Sequence, residues 1–387
     1  MKILHLMLSN FYIDNAGYQE NIVPRINKRD GHEVEIIAST EVFMEKNQMG
    51  LIKPSTYINE DGIKVTRLPY KKNINKFIAR KTRDYPGLYD KIKEFNPDII
   101  LFHGAAALAI NVVSKYKKDN PQVSFFIDSH EDSNNSARNF LSRFLLYDCF
   151  YSPILRKNIE YVDKLLYITK ETYNFCRKVY KIDDEKLFFF PLGGIVPKDS
   201  DRITQRVKLR KELGLKEDDI LCIHTGKMDK NKRSLEIIQG FSNYKNDKFK
   251  LIIIGNVEDE IREKMDTDIA KDSRIQFLGW KASNILQHYL MAGDLYIQLG
   301  GQSVSMQQSL CNGCAVALFP YESHTFLLKE NAYYIQSSDD ISNLLKDIAK
   351  DLNRFKEKRE KCFNFAKKNL DYNVISNIII NWKNDNK

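Results

Sequence analysis

The chain has 387 residues, with 60 Lys or Arg and 51 Asp or Glu, which gives a formal net charge of +9. Its 43% hydrophobic and 29% charged content is typical of folded globular proteins and excludes a disordered chain. No apolar run reaches the roughly eighteen residues that a membrane-spanning helix needs. The length is sufficient for two domains that each have a full core.

The first half of the chain alternates strand-like and helix-like segments. The first run, MKILHLMLSNFY, is interpreted as a buried strand because no small-residue cleavage site follows it. Further apolar runs of the strand type begin near residues 33, 63, 98, 123, 164 and 186. Segments typical of helices lie between them: Tyr18–Lys28, Asp84–Phe95, Ala105–Lys117, Ala137–Tyr161 and Lys170–Tyr180. This alternation predicts a parallel, doubly wound α/β sheet.

A second strand–helix series runs from Ile220 to about Gln336. Between the two series, Pro191–Asp201 carries two Pro, two Gly and a polar run, and it is the best candidate for a linker. The residues from Asp339 onward are predicted to be helical. We therefore predict an N-terminal domain over 1–195, a second domain over 196–370, and a C-terminal helix over 371–387 that crosses back to the first.

Positive charge is concentrated between Lys64 and Arg83, where eight basic residues occur with no acidic residue and with Tyr70 and Phe77 interleaved. Such a patch suits anionic lipid, a phosphate-bearing acceptor or nucleic acid. A solvated surface loop explains it equally well. The apolar and aromatic segment Ala137–Lys157 suits either a membrane interface or a buried interdomain helix.

The six cysteines lie mostly in apolar strand or helix contexts, so we expect them to be reduced packing residues. Cys311 and Cys314 have CxxC spacing, but the second pair of ligands that a structural zinc site needs is missing. Asp266 and Asp268 imitate a metal-binding DxD pair but fall in a polar helical segment.

Glycine-marked turns follow the apolar runs between Ile220 and Phe319. The segments in chain order are ILCIHTGKMDKNKRS, KLIIIGNVEDE, RIQFLGWKAS, AGDLYIQLGGQSVSMQQSLCNG and CAVALF. Short apolar runs bounded by Gly are typical of strands buried on both faces of a parallel sheet. Turns at the carboxyl ends of such strands collect anions on their backbone N–H groups. Together these segments resemble the donor-binding half of a retaining GT-B glycosyltransferase of family 4.

The resemblance implies two Rossmann-like domains facing across a cleft, with a nucleotide-sugar donor bound by the second. Gly226 turns the chain after the first strand of this series, and Lys227 and Lys232 match the family's two basic positions. Positive charge is needed there because the leaving diphosphate gains negative charge as the glycosidic bond breaks. Both side chains are expected to be exposed. Two lysines in a loop are otherwise usually solvated.

The segment after the fourth run matches the family's loop that contacts the diphosphate and the donor sugar. Its small, open residues are Gly301, Gln302, Ser303, Val304 and Ser305. Gly300 and Gln308 stand where the family has two glutamates, the second of which bonds the ribose. Gln308 can still bond a diol, without the charge-assisted bond that a carboxylate makes.

The resemblance also implies roles for four further residues, each from its position along the chain. Gly17, after the first strand, is expected near the donor phosphate or sugar. His130 matches a histidine that bonds donor sugar hydroxyls, although a helix-capping cluster explains its acidic and polar neighbours too. His103 is expected to line the acceptor side. Trp280 is expected to line the base pocket, with simple packing as the alternative.

The sequence thus predicts a glycosyltransferase that moves a sugar from a nucleotide diphosphate to a glycan or polyprenyl-linked glycan. By resemblance the anomeric configuration is retained, and no metal or other cofactor is needed. The expected context is bacterial surface polysaccharide synthesis in the cytoplasm, at the inner face of the cell membrane, without nucleic acid. Two alternatives stay open: a non-catalytic glycosyltransferase-like partner subunit, favoured by the missing glutamates, and a GT-B sugar-nucleotide epimerase.

Overall fold

The computed structural model describes residues 1–43, 49–72, 74–133, 135–137 and 139–385. The chain divides into two compact units. Unit 1 comprises Met1–Pro191 and Ile375–Lys387, and unit 2 comprises Leu192–Val374. The predicted α/β class is confirmed, since each unit is built on a sheet of mainly parallel strands.

Unit 1 contains an eight-stranded sheet in the order β10-β9-β8-β7-β1-β2-β6-β5, parallel except for the antiparallel edge strand β5. Its strands are β1 (Lys2–Met7), β2 (Glu33–Ser39), β5 (Ser55–Ile58), β6 (Lys64–Leu68), β7 (Ile99–His103), β8 (Ser124–Ser129), β9 (Lys164–Tyr167) and β10 (Leu187–Phe189). The short strands β3 (Glu41–Phe43) and β4 (Met49–Leu51) form a separate antiparallel pair.

The helices of unit 1 cover both faces of this sheet. They are α1 (Gln19–Arg29), α2 (Lys76–Thr82), α3 (Leu88–Phe95), α4 (Ile110–Asp119), α5 (Phe140–Ser142), α6 (Ser152–Asn158) and α7 (Lys170–Phe175). The single helix expected over Ala137–Tyr161 is wrong in detail. The chain passes from α5 through a π-helical stretch (Arg143–Tyr151) and α6 to a 3₁₀ turn, and Phe140 and Leu141 stay exposed.

Unit 2 contains six parallel strands in the order β13-β12-β11-β14-β15-β16. They are β11 (Ile220–Thr225), β12 (Phe249–Ile254), β13 (Ile275–Phe277), β14 (Leu295–Gln298), β15 (Ala315–Leu318) and β16 (Tyr333–Tyr334). The helices are α8 (Asp199–Glu212), α9 (Ser234–Asn243), α10 (Asp259–Ala270), α11 (Ser283–Ala292), α12 (Ser305–Cys311), α13 (Glu322–Leu328), α14 (Ser338–Lys350) and α15 (Leu352–Asn369). The last helix, α16 (Tyr372–Asp385), begins in unit 2 and continues into unit 1.

The central strands explain the apolar runs of the sequence. Every residue of β11, β14 and β15 is buried, as expected of strands covered by helices on both faces. Asp294, just before β14, is the main charged anchor of unit 2. Its carboxylate pairs with Arg206, Arg210 and Arg359 at 2.6–2.9 Å, which ties α8 and α15 to the sheet. In the part of the chain that the structure describes, no helix is long and apolar enough to cross a membrane.

Candidate donor site

The strand order of unit 2 reverses beside β11. Strands β12 and β13 follow on one side of β11, whereas β14 lies on the other. In open parallel sheets, ligands bind outside the carboxyl ends of the strands at such a reversal. The loops that follow β11 and β14 are in tight contact there, because a Cβ on Gly300 would lie 2.0 Å from the carbonyl oxygen of Asn231. The predicted donor residues after β11 and β14 therefore lie at the reversal.

Lys232 is the most unusual residue at this reversal. Only 7% of it is exposed, so the expectation that both lysines are exposed is wrong for this one. A Cβ atom added to Gly226 would lie 3.2 Å from the Nζ of Lys232. A Cβ atom added to Gly301 would lie 3.9 Å from the Cδ of Lys232. Among the described residues, none forms a hydrogen bond or ion pair with its ammonium group. Burial lowers the pKa of Lys232 to about 8, although Asp229 opposes the change.

The groups around Lys232 do little to compensate its charge. The Asp229 carboxylate is engaged by the backbone N–H of Lys232 at 2.9 Å. His224, buried in β11, bonds the carbonyl of Ile297 and the hydroxyl of Ser234. Burial and the charge of Lys232 lower the pKa of His224 to about 3, so this imidazole is neutral at physiological pH. A largely buried cation is thus held without an ion pair, with only the nearby charge of Asp229 in its favour, which is costly unless a ligand supplies a closer anion.

Lys227 occupies a different environment. Its side chain is 68% exposed, and Nζ pairs with Glu258 at 2.6 Å on the surface. An exposed pair of this kind contributes little to stability, and the ammonium group is free to exchange its partner.

Two polar side chains form hydrogen bonds with the glycine-rich loop that follows β14. The N–H of Gly301, a residue with φ of 65°, donates to the hydroxyl of Tyr321 at 3.2 Å. The amide of Gln298 donates to the carbonyl of Gly301. Sequence reasoning missed both supporting residues, although Tyr321 could have been noticed because it follows β15 at the same edge of the sheet.

Of the remaining predicted loop residues, Gln302, Ser303 and Val304 precede α12, and Ser305 begins it. Gln302 donates from its side chain to Ser323 at 2.6 Å, and the Ser303 hydroxyl accepts from the N–H of Ser305 at 3.2 Å. Val304 precedes the helix and accepts from the N–H of Gln308. Each of the five residues of the predicted loop therefore takes part in a hydrogen bond within the protein.

The two positions where the resemblance expects glutamates differ from each other. A side chain at position 300 is excluded in this conformation, because its Cβ would overlap Asn231. Gln308 lies half-buried on α12, and none of the described residues bonds its side-chain amide. The amide of Gln308 is therefore available to a ligand, whereas no carboxylate can stand at position 300.

Three glycine turns lie side by side along this edge of the sheet. The N–H of Gly226 donates to Ile254, and the N–H of Gly255 donates to Gly279 at 3.0 Å. A Cβ on Gly255 would lie 1.7 Å from the carbonyl oxygen of Gly226, so only glycine allows this approach. Trp280 follows the last of these turns with 65% of its surface exposed. Simple core packing therefore does not account for Trp280.

The strand order of unit 1 also reverses, between β1 and β7. His103 ends β7 at this point and is fully buried, so the expectation that it lines an acceptor surface is wrong. Its Nδ1 lies 2.6 Å from Oδ2 of Asp128, and its Nε2 lies 3.2 Å from Nδ1 of His5. The other nitrogen of His5 meets Asn27 at 3.1 Å. The chain Asn27–His5–His103–Asp128 thus runs through the interior of the sheet.

His130 lies at the outer end of this row of polar side chains, next to Asp128. Its Nε2 lies 3.4 Å from Asp128 and 3.8 Å from Glu20, and 23% of its side chain is exposed. Although burial opposes a positive charge, Asp128, Glu20 and Glu131 together raise the pKa of His130 to about 9. The same contacts from His103 and His130 hold the pKa of Asp128 far below its ordinary value despite burial. His130 is thus an imidazolium at neutral pH and a hydrogen-bond donor.

Gly17 is exposed in the turn between β1 and α1, two residues before the helix starts. No described contact ties it to His130. The adjacent first turn of α1 provides Glu20, which accepts from Asn10 at 3.2 Å and faces His130.

The basic run Lys64–Arg83 is not one surface. The guanidinium of Arg67 is wholly buried, where it pairs with Asp14 and donates to the carbonyl of Tyr12 at 2.9 Å. Arg83, with φ of 52°, donates to Ser9 and to the carbonyl of Ala106. Lys64 pairs with Glu35 across two strands. The expectation of a continuous basic patch is wrong for Arg67 and Arg83, because strand β6 and the turn after α2 direct them inward, whereas the paired Lys64 stays partly exposed.

The metal-like motifs carry no site within the described residues, where no group of three His, Cys, Asp or Glu is placed to hold an ion. Cys311 and Cys314 are buried and free, and Asp266 and Asp268 lie on α10. A cavity of about 570 Å³ lies between α9 and α10, but its charges of both signs are mostly paired, as in Arg233–Glu236 and Lys271–Asp268.

No family model matches the chain, and no curated protein matches it in sequence. Solved structures do match over its whole length. HepE from Anabaena, solved with UDP, has 14% identity and a TM-score of 0.66, with 100% of both chains covered. A glycosyltransferase from Rickettsia africae has 13% identity and a TM-score of 0.70, covering 99% of this chain and 98% of its own. WaaG, a glycosyltransferase involved in lipopolysaccharide biosynthesis, has 15% identity and a TM-score of 0.62, covering 98% and 99%. The chain therefore has the two-domain fold of the GT-B glycosyltransferases.

Proposed function

We propose that the protein is a glycosyltransferase that takes its sugar from a nucleotide diphosphate bound by unit 2. The observation that carries this proposal is the buried, unpaired ammonium of Lys232 at the reversal of the strand order. The carboxyl edge of a parallel sheet at that point is where such folds bind ligands. A diphosphate supplies the directly bonded anion that the protein itself does not.

The same geometry suits the chemistry of glycosyl transfer. Negative charge grows on the diphosphate as the bond to the sugar breaks, and a preorganised cation in a water-poor site stabilises that charge strongly. Because Lys232 is already buried and fixed, little reorganisation is needed when the charge develops. UDP is the first diphosphate to test, since HepE was solved with UDP and with UDP-glucose.

The other donor residues have distinct proposed roles. The exposed ring of Trp280 offers a stacking surface for the base, and the amide of Gln308 offers hydrogen bonds to the ribose hydroxyls. The N–H groups of Ser303 and Val304 are proposed to face the diphosphate, since those of Gly301 and Ser305 already donate within the protein. His130, a charged donor at the edge of the unit 1 sheet, is proposed to bond a sugar hydroxyl, and Gly17 to lie close to the phosphate or sugar.

The finer assignments rest on the family resemblance. They are retention of configuration, with the leaving phosphate helping to deprotonate the acceptor, and a glycan or polyprenyl-linked glycan as that acceptor. Bacterial surface polysaccharide synthesis at the inner face of the membrane is the proposed context. The printed role of WaaG in lipopolysaccharide biosynthesis supports this choice without deciding it.

One observation favours a non-catalytic partner subunit instead. Position 300 has no space for the carboxylate that the resemblance expects, so a working sugar pocket must do without it. The epimerase alternative draws on the cluster of His130, Asp128 and Glu20, which places a charged imidazole between two carboxylates.

A mass-spectrometric screen separates the three functions. The full chain is incubated with a panel of nucleotide sugars, with and without glycan and polyprenyl-linked acceptors. A glycosyltransferase releases nucleoside diphosphate and adds a sugar to an acceptor. An epimerase changes the donor without any acceptor, as chromatography of the isomers reveals. Nucleotide binding without turnover of any donor supports the partner subunit and contradicts the proposal.

A further inference from the structure

A second cavity lies in unit 1, at the carboxyl edge of its sheet. It has a volume of about 300 Å³. Thr40 lines it directly after β2, and Pro69 and Tyr70 line it directly after β6. One wall comes from β4 and the residues after it, and the opposite wall comes from α2. Since β2 and β6 are parallel neighbours, their carboxyl ends lie at the same edge of the sheet and open onto this cavity.

The charged lining of this cavity is entirely basic. Lys71, Lys72, Lys76 and Arg80 line it, and none of the described residues that line it is acidic. Lys71 pairs with Asp84 at 3.6 Å, and Arg80 pairs with the nearly buried carboxylate of Glu41. Lys72 and Lys76 have no ion pair or hydrogen bond to any described residue. Two exposed ammonium groups are therefore left without a counter-charge at one small opening.

The rest of the lining is apolar. Leu51, Ile52, Pro54 and Ile74 contribute to the walls, and Leu51 and Ile74 are still 48% and 39% exposed. Directly beside Lys76 on α2, Phe77 is 68% exposed and Ile78 is 51% exposed. An inorganic anion would use only the lysines, and a neutral lipid would use only the apolar walls. A ligand that uses both must have an anionic head and a hydrocarbon tail.

We propose that this cavity binds a phosphate group carried on an aliphatic chain, with Lys72 and Lys76 at the phosphate and Ile52 and Ile74 along the first carbons. Its volume is at the lower limit of ligand pockets, so it holds the head and the start of the chain. The remainder of the chain would pass Phe77 and Ile78. The inference deepens the proposed function and rests on it, because such a ligand is the membrane-held end of a lipid-linked acceptor.

The test is calorimetric titration of farnesyl phosphate, kept below its micelle concentration, into the full chain. The double variant Lys72→Glu/Lys76→Glu is expected to bind at least about 30-fold more weakly, since each basic residue contributes about one kcal/mol near such an anion. The matched control Lys93→Glu/Lys118→Glu makes the same charge change at exposed positions of α3 and α4 and is expected to bind like wild type. Equal losses in both variants would show a general charge effect and overturn the proposal.

Two further arms separate the sources of the phosphate. Inorganic phosphate is expected to bind more than about tenfold more weakly than farnesyl phosphate, because burying a few CH₂ groups adds that much. Ile74→Ser should weaken farnesyl phosphate binding and leave inorganic phosphate unchanged. Equal affinity for the two phosphates would overturn the role of the tail. Cosedimentation with phosphatidylglycerol vesicles in the absence of farnesyl phosphate binding would show a membrane-facing surface rather than a pocket.

Titration of UDP into the same variants keeps this inference apart from the proposed function. The Lys72→Glu/Lys76→Glu protein is expected to bind UDP as wild type does. If wild type fails to bind any nucleoside diphosphate but binds farnesyl phosphate through Lys72 and Lys76, the pocket stands and the proposed donor site falls.

Discussion

Both sheets have charged residues at the carboxyl edge where the strand order reverses. In unit 1 these charges are compensated by neighbouring charges, whereas in unit 2 the charge of Lys232 has no ion-pair partner. At the reversal in unit 1, Asp128 lies between two imidazoles, and the pKa of His130 rises to about 9. At the reversal in unit 2, Lys232 is buried without an ion pair, and its pKa falls to about 8. The buried charges of unit 1 thus compensate one another. An uncompensated charge is held at the expense of stability, which marks the edge of unit 2 as the one prepared for an anionic ligand.

The largest expected effect comes from removing the uncompensated charge. Lys232→Met should lower turnover by roughly 10²–10³, the scale for losing one preorganised group that stabilises developing charge. The unliganded variant should be at least as stable as wild type, because a buried unpaired cation is replaced by an apolar chain. Steady-state kinetics and thermal melting of the same preparation measure both.

Lys227→Met is the matched control for that variant. Since Lys227 is exposed and paired only with Glu258, its loss should change stability by less than about 0.5 kcal/mol. A melting temperature for Lys232→Met well below that of the control would mean that Lys232 has an internal partner after all.

Breaking the compensated network should have the opposite effect on stability. Asp128→Asn leaves His103 and His130 without their shared carboxylate, and we expect a loss of about 3 kcal/mol at neutral pH. Denaturant unfolding measures it, with Asp90→Asn on the surface of α3 as a control that should change little.

The pH dependence of this loss has a defined sign. The pKa of His130 is raised on folding from its ordinary 6.5 to about 9, so its contribution is complete below pH 6.5 and is lost as pH rises through 9. The gap between wild type and Asp128→Asn should therefore narrow from pH 6.5 to 9. A gap that stays constant would mean that His130 is not charged by Asp128.

A smaller effect is expected at Gln308, whose amide is available to a ligand. Gln308→Ala should weaken nucleotide binding by about 1–2 kcal/mol, the usual cost of leaving hydroxyl partners unpaired. Gln308→Glu should match or exceed wild type, since it restores a charge-assisted bond. Calorimetric titration with UDP measures both, and unchanged affinity in both variants would remove Gln308 from the site.

The smallest expected effect is that of metal removal. If Lys232 supplies the positive charge, affinity for UDP should be the same in EDTA as in magnesium. A large loss of affinity in EDTA would point to a metal-dependent site and away from the account given for Lys232.

The fold could be predicted from sequence because apolar runs bounded by glycine report strands buried on both faces, as β11, β14 and β15 are. The environment of each charge could not be predicted in the same way. Lys227 and Lys232 look alike in sequence, yet only Lys232 is buried. It follows Asn231, which is in tight contact with Gly300 from the loop after β14. His103 is predicted to line the acceptor side because the sequence shows that it ends the apolar run of β7. The spacing of residues along the sequence does not show that the spatial neighbours of His103 are His5 and Asp128, which come from two other strands.

The pH dependence of UDP affinity tests the central claim most directly. With a pKa of about 8 in the free protein, Lys232 is charged at pH 7.5 and mostly neutral at pH 9.5. If its ammonium group holds the diphosphate, wild type should bind UDP up to roughly 25-fold more weakly at pH 9.5 than at pH 7.5. Lys232→Met should bind weakly at both values, with no such dependence. Equal affinity at the two pH values in wild type, or wild-type affinity in Lys232→Met, would contradict the account.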